Sequence, residues 1–314
     1  MDAYPRTLED FEARFGTEAA CRAYLVQLRW PQGFHCPQCG LTKAWPVRSL
    51  LRQCAACGRQ TSVTAGTVFQ DTRTPLTTWF RAMWWVTSTK TGTSALGLQR
   101  VLGLGSYQTA WAWLHKLRRA MVRPGREQLS GRVEIDESFV GGRGGAQGRS
   151  TATKALIVVA AEERGRGIGR IRMRRIPDAS ADRLQAFVAD AILPGSVVHT
   201  DGWHGYDRVA KNGYDHEITL LRGDHELAIA RLPRVHRVVS LLKRWLLGTH
   251  QGAISQPHLD YYLDEFTFRF NRRTSRHRGM LFFRLVQQAV AVDPVPYRRL
   301  VQHVHRRRGH THKP

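Results

Sequence analysis

The chain has 314 residues and a formal charge of +23, from 48 Lys and Arg against 25 acids. Its 42% hydrophobic content excludes general disorder, and its positive excess selects polyanions as partners. No stretch is apolar for long enough to span a bilayer, the longest being Ala155 to Ala161. The first twenty residues carry Asp2, Glu9, Asp10, Glu12 and Glu18. A signal peptide begins basic, so a cytoplasmic protein without membrane contact is expected.

The length suggests two domains, or three if one is small. Residues 1–33 read as helical, with Phe11 and Phe15 on one face and a stop at Trp30-Pro31. Cys21 sits in that pattern as a core thiol. Residues 34–72 form the sharpest signal, Cys36-Pro-Gln-Cys39-Gly and Cys54-Ala-Ala-Cys57-Gly, with 14 residues between the pairs. Two residues between thiolates let one tight turn aim both sulfurs at one point, and two such knuckles complete a tetrahedral structural zinc site. Gly40 and Gly58 suit the turns. Two disulfides would need an oxidising compartment, which nothing here indicates. The β-branched run Arg59 to Phe69 reads as a small sheet beside the metal.

Residues 73–122 read as a helical module. A helix over Thr77–Lys90 precedes one over Ser94–Leu102, a Gly103-Leu104-Gly105 turn, and a third helix capped by Ser106 and running to Met121. Tyr107, Trp111, Leu114, Leu117 and Met121 form its predicted core stripe, leaving His115, Lys116, Arg118 and Arg119 as a basic outer face. Helix, glycine turn and basic helix suggest a helix-turn-helix that binds DNA. Residues 123–131 read as a linker.

The pattern then turns to strands at 132–140, 155–161, 168–176 and 196–200, with a helix over 181–192 and further helices over 233–247, 257–270 and 280–291. This is a mixed α/β arrangement. Gly141–Ser150 reads as a mobile loop, and 293–314, with Arg306, Arg307 and Arg308, as a basic tail. Asp136 lies in the alternating run Val133-Glu-Ile-Asp-Glu-Ser-Phe-Val-Gly-Gly142, and Asp201 ends a second strand before Gly202. Each could be a turn residue. On neighbouring strands of a basic, zinc-bearing protein they instead form a carboxylate pair for Mg ions acting on a phosphodiester.

Those two segments, followed by Leu241-Leu-Lys-Arg-Trp-Leu-Leu-Gly-Thr249 and Tyr262-Leu-Asp-Glu-Phe-Thr-Phe-Arg-Phe-Asn-Arg-Arg273, resemble the ISXO-like group of bacterial insertion-sequence transposases. The resemblance runs over about residues 10–290 and includes the zinc ribbon in front. It implies an α/β multidomain protein with an RNase H-like catalytic domain over 132–292. It also implies divalent-metal-dependent DDE strand transfer between double-stranded DNA partners, the inverted-repeat ends and a target, by a homo-oligomer. The first two acids are then Asp136 and Asp201, 65 residues apart. The third ligand is expected about 35 residues further on, where His236 stands in place of Glu; Glu226 is the alternative carboxylate. The group keeps a lysine seven residues later, matched by Lys243. On a helix His236, Ser240 and Lys243 make one polar stripe, opposite Val235, Val239, Leu242 and Trp245. Imidazole favours Mn over Mg. A zinc-ribbon DNA-binding regulator would explain charge and cysteines but leave both aspartates without a task. An RNase H-like nuclease or resolvase would share the metal site.

Overall fold

A computed structural model describes residues 4–48, 51–123, 125–141, 154–220, 226, 230–252 and 254–301. Most of the expected loop at 141–150 and the arginines at 306–308 lie outside the described residues. The chain forms two compact units: one holds the chain up to Arg123 and again from Thr274, and the other lies between, ending at Arg273.

In the first unit the front helix is two helices, α1 (Leu8–Phe15) and α2 (Glu18–Arg29), because Gly16-Thr17 interrupts it. Thr7 and Thr17 each accept a backbone N–H from the first turn that follows, so each helix has its own cap. The zinc-ribbon segment is a three-stranded antiparallel sheet of β1 (Ala44–Arg48), β2 (Leu51–Cys54) and β3 (Gln60–Ser62). Its core is small: Phe34, Cys36 and Cys54, with Trp30 and Ala44 packed against them. Then come α3 (Leu76–Ser88), α4 (Ala95–Leu102) and α5 (Tyr107–Ala120). Gly103, at φ +62°, ends α4 in the left-handed region, and Ser106 caps α5 through Thr109 N–H.

Two expectations change here. The stretch 280–291 was expected in the catalytic domain; α9 (Gly279–Ala289) packs in the first unit instead, where Phe282 meets Phe11, Phe15, Phe80 and Trp84. A short α10 (Tyr297–Val301) follows. The basic face assigned to α5 is also largely absent. His115 and Arg118 are buried, Lys116 and Arg119 are half-buried, and the predicted core residue Tyr107 is exposed. The α5 helix is enclosed nearly all round, with Trp113 stacked on Trp79 at 3.7 Å, and it presents only its first turn, Tyr107 to Thr109.

The second unit is a five-stranded mixed sheet in the order β6-β5-β4-β7-β8. β4 (Arg132–Val140), β5 (Ala155–Arg164) and β6 (Gly167–Ile176) form an antiparallel meander; β7 (Val197–Thr200) and β8 (Asp215–Ile218) join parallel to β4. This is the RNase H-like arrangement expected. β8, with its exposed polar sequence, carried no apolar pattern and was not anticipated. On one face α6 (Ala181–Ala191) covers Val133, Ile135, Val158, Ala160 and Val198. On the other, α7 (Pro233–His250) and α8 (Leu259–Phe270) cover Val140, Ile157, Val159, Ile171 and Met173. The outer edge of β6 is closed by the Asn271 side chain, which accepts the N–H of Ile171 and donates to its carbonyl oxygen.

Candidate active site

The four cysteine sulfurs all lie within 4.8 Å of one another. Sγ of Cys36 is 3.6 Å from that of Cys57, and Sγ of Cys39 is 3.5 Å from that of Cys54. A zinc ion bonded to four sulfurs at about 2.3 Å holds them about 3.8 Å apart, so the cluster fits structural zinc. The knuckle glycines take the left-handed backbone the turns need, φ +74° at Gly40 and +69° at Gly58. The N–H groups of Cys39 and Cys57 point back at Cys36 and Cys54 and favour their thiolates, drawing Cys36 down to about 6.

The second polar centre is built by sheet register. Arg132, Val133 and Glu134 of β4 stand opposite Val197, Val198 and His199 of β7. That offset of 65 residues is the spacing of the two aspartates, so Asp136 lies level with Asp201, the residue just past β7. Neighbouring strands run about 4.8 Å apart. Asp136 pairs with Val159, which belongs to the α7 side, so its carboxylate faces α7. After Asp201 the chain must turn sharply. Gly202 has φ +85°, and a Cβ there would meet Leu220 Cδ2 at 2.8 Å. The turn is held by Trp203, whose N–H donates to Asp201 Oδ1 at 3.0 Å and whose indole N–H donates to the Ala179 carbonyl.

His236 arrives from α7, and the start of that helix is tied to β4 by a residue to which sequence reasoning gave no role. Glu134, 1% exposed, accepts the backbone N–H groups of Arg234 and Val235 and pairs with the Arg234 guanidinium at 2.8 Å. A carboxylate on the open N–H groups of a helix start is favoured by hydrogen bonding and by the helix dipole. Glu134 and Asp136 share a strand face, so the residue that anchors α7 also sets the distance from Asp136 to the helix. His236 Nε2 lies 3.7 Å from Asp136 Oδ2. Ser240 and Lys243 continue the exposed stripe, while Val235, Val238, Val239, Leu242 and Leu246 are buried and Trp245 packs beside them, close to the predicted division. Glu226, the alternative carboxylate, is exposed.

Electrostatics mark this centre. Burial, then the Asp201 charge, pushes Asp136 up to about 6 against the opposing pull of the Glu137 N–H and Lys243. Burial lowers Lys243, as does the neighbouring charge of Lys154, while Asp136 raises it. On the α6 side Glu137 is pushed up to about 7 by burial, with the Tyr206 O–H bonded to it and the two aspartates adding repulsion. Glu137 was legible in principle: it is an acid in the apolar phase of an alternating strand, beside Val133 and Ile135. Two carboxylates and an imidazole are the donor types that Mg or Mn takes, but among the described residues only the four cysteines are already gathered as a metal-binding cluster.

Two segments of the chain match known families. Residues 128–271 match the family model of the ISXO2-like transposase domain, and residues 16–60 match that of the transposase zinc-ribbon domain. A protein of Halobacterium salinarum, described as an uncharacterized protein in transposable element ISH50, is 28% identical over 279 residues, covering 81% of this chain and 91% of its own. No helix among the described residues is long and apolar enough to cross a membrane. The matched segments fall on the ribbon and on the sheet that carries Asp136, so the chain carries an ISXO2-like transposase domain preceded by a transposase zinc ribbon.

Proposed function

We propose that this transposase performs DDE-type strand transfer, with Asp136, Asp201 and His236 as its divalent-ion ligands. The observation that carries the reading is the shared level of Asp136 and Asp201 on adjacent parallel strands, with His236 Nε2 3.7 Å from Asp136. When bound, divalent ions supply Lewis-acid activation of the attacking oxygen and stabilise the leaving one. The protein's own part is positioning. Asp136 and Asp201 present oxygens from a rigid sheet, His236 adds a nitrogen from a helix anchored through Glu134, and Lys243 offers its ammonium to the phosphate backbone two turns, about 10 Å, further along. Water attacks the phosphodiester at the element end, and the freed 3′-hydroxyl then attacks target DNA. Each step is a direct displacement at phosphorus without a protein–DNA bond. Two ends must be joined in concert, so the active form is an oligomer on DNA.

DNA binding falls to the first unit. The ribbon exposes Trp45 and Val47 beside Lys43 and Arg59, and α5 exposes Tyr107, Gln108 and Thr109 at its start. A helix start is the part of a recognition helix that reaches base edges. The test is Asp201→Ala assayed on end DNA in Mg and in Mn. Cleavage should fall by about 10³-fold or more, a loss of several kcal/mol in transition-state stabilisation, while binding is retained. Pre-cut ends supplied with target DNA should be joined by the unmutated protein; cutting without joining would indicate a nuclease. No cutting in either metal would leave a DNA-binding regulator.

A further inference from the structure

A cleft of about 590 Å³ runs along the end of β4 on the α7 side of the second unit, lined from Glu137, the residue after Asp136, onward. Its apolar wall is Leu246, Leu247, Ile254 and Leu259, from the end of α7, the following loop and the start of α8. Lys243 and Lys154 also line it, and Ser138 and Gln256 add hydrogen-bonding groups. Leu247 is 67% exposed, which leaves the wall open to a ligand. The cleft begins one residue past Asp136 on β4, and Lys243 belongs both to it and to the polar stripe of His236. A DNA strand held at Asp136 and passing Lys243 therefore delivers its next nucleotide to this wall.

We infer that the cleft receives one unpaired nucleotide flanking the cleaved phosphate, its base against Leu246, Leu247 and Ile254 and its phosphates on Lys154 and Lys243. The volume suits a single small molecule, in the range of about 300–1,000 Å³. A base pair kept in a continuous stack does not enter such a space; a base turned out of the duplex does. The apolar wall matches the faces of a base, and the two ammoniums match the charge of its backbone. This inference rests on the strand-transfer reading and specifies the shape of DNA that the site holds.

The experiment walks 2-aminopurine through the three nucleotides on either side of the junction between element end and flank, in duplexes bound at saturation by the full chain. Fluorescence should rise severalfold at one position. Leu247→Glu, at an exposed position, should remove the rise without unfolding the protein. An abasic site opposite the responding nucleotide removes the cost of unpairing, so it should tighten binding about tenfold for the unmutated protein and not for Leu247→Glu. Lys154→Ala should reduce the salt dependence of binding by about one phosphate contact. If no position responds while the junction is cut normally, the inference is overturned and the strand-transfer reading stands. A rise that persists in Leu247→Glu overturns it as well. If the protein cuts in neither Mg nor Mn yet one position responds in a Leu247-dependent way, the cleft assignment holds and the catalytic reading fails. No binding to end DNA overturns both.

Discussion

The zinc ribbon and the aspartate site both gather groups that repel or compete unless a cation joins them, yet they are assembled in opposite ways. In the ribbon, two local turns aim four sulfurs at one point, and the surrounding core is three residues with two more at its edge. At the active site, two carboxylates come from strands 65 residues apart in sequence, and the scaffold under them is a five-stranded sheet buried on both faces. The ribbon has too little apolar surface to order its strands unaided, so its metal substitutes for a core. The sheet orders itself and can carry the cost of crowding two acids. On the proposed reading, one site depends on its ion for shape, and the other crowds acids whose repulsion an ion would relieve.

The largest effect that follows is the loss of zinc. Replacing Cys36 and Cys54 with Ser should lower zinc from about one ion per chain to none, removing a binding free energy of the order of 10 kcal/mol that doubles as folding energy. Hydrogen exchange should then show β1 to β3 losing protection while β4 to β7 keep theirs. If zinc stays bound, the ligand set is wrong; if the sheet melts along with the ribbon, the contrast between the two regions is wrong.

A smaller effect separates the active-site scaffold from its chemistry. Glu134→Gln keeps the shape of the side chain but removes the charge that faces Arg234 and the start of α7. Weakening a buried pair of this kind should destabilise the second unit by about 3 kcal/mol, read from the denaturant midpoint. Cleavage should fall more than DNA binding, because His236 lies two residues into the released turn. Cleavage unchanged in this variant would mean that the Glu134 anchor does not place His236.

The legible parts of the molecule were those written in short-range patterns. The two knuckles, the alternation of β4 and the two polar and apolar stripes of α7 repeat at fixed spacings, and each predicts its own geometry. What escaped depends on contacts made across the chain. Glu134 reads as one more outward acid of an alternating strand until α7 places two N–H groups above it. His115 and Arg118 read as solvated because the stripe model assumes a single buried face, and α5 is enclosed by its neighbours. α9 is an apolar helix whose pattern says that it is buried but not in which unit; Phe282 settles that by filling the space among Phe11, Phe15 and Phe80. β8 has almost no apolar residues to signal it, because as an edge strand it is held mainly by pairing with β7.

The finest test of the comparison is Asp136→Asn, read as stability rather than activity. Asp136 titrates at about 6 in the folded chain against an ordinary 3.8, because burial and Asp201 disfavour its charge. Between those values the folded chain holds a proton that the unfolded chain has released, so this group's contribution falls as pH rises from about 4 to about 6 and stays at its lower level above. The asparagine cannot ionise and avoids that loss. Without added divalent ions, the variant should match the unmutated protein below about pH 4 and exceed it by about 2–3 kcal/mol at neutral pH, the equivalent of a shift of about two pH units. Adding Mn should then stabilise the unmutated protein by mass action and leave the variant nearly unmoved. A variant that is less stable at neutral pH would mean that the aspartate pair is held by compensating contacts rather than strained toward a cation. The active site would then resemble the ribbon in being built around what it binds.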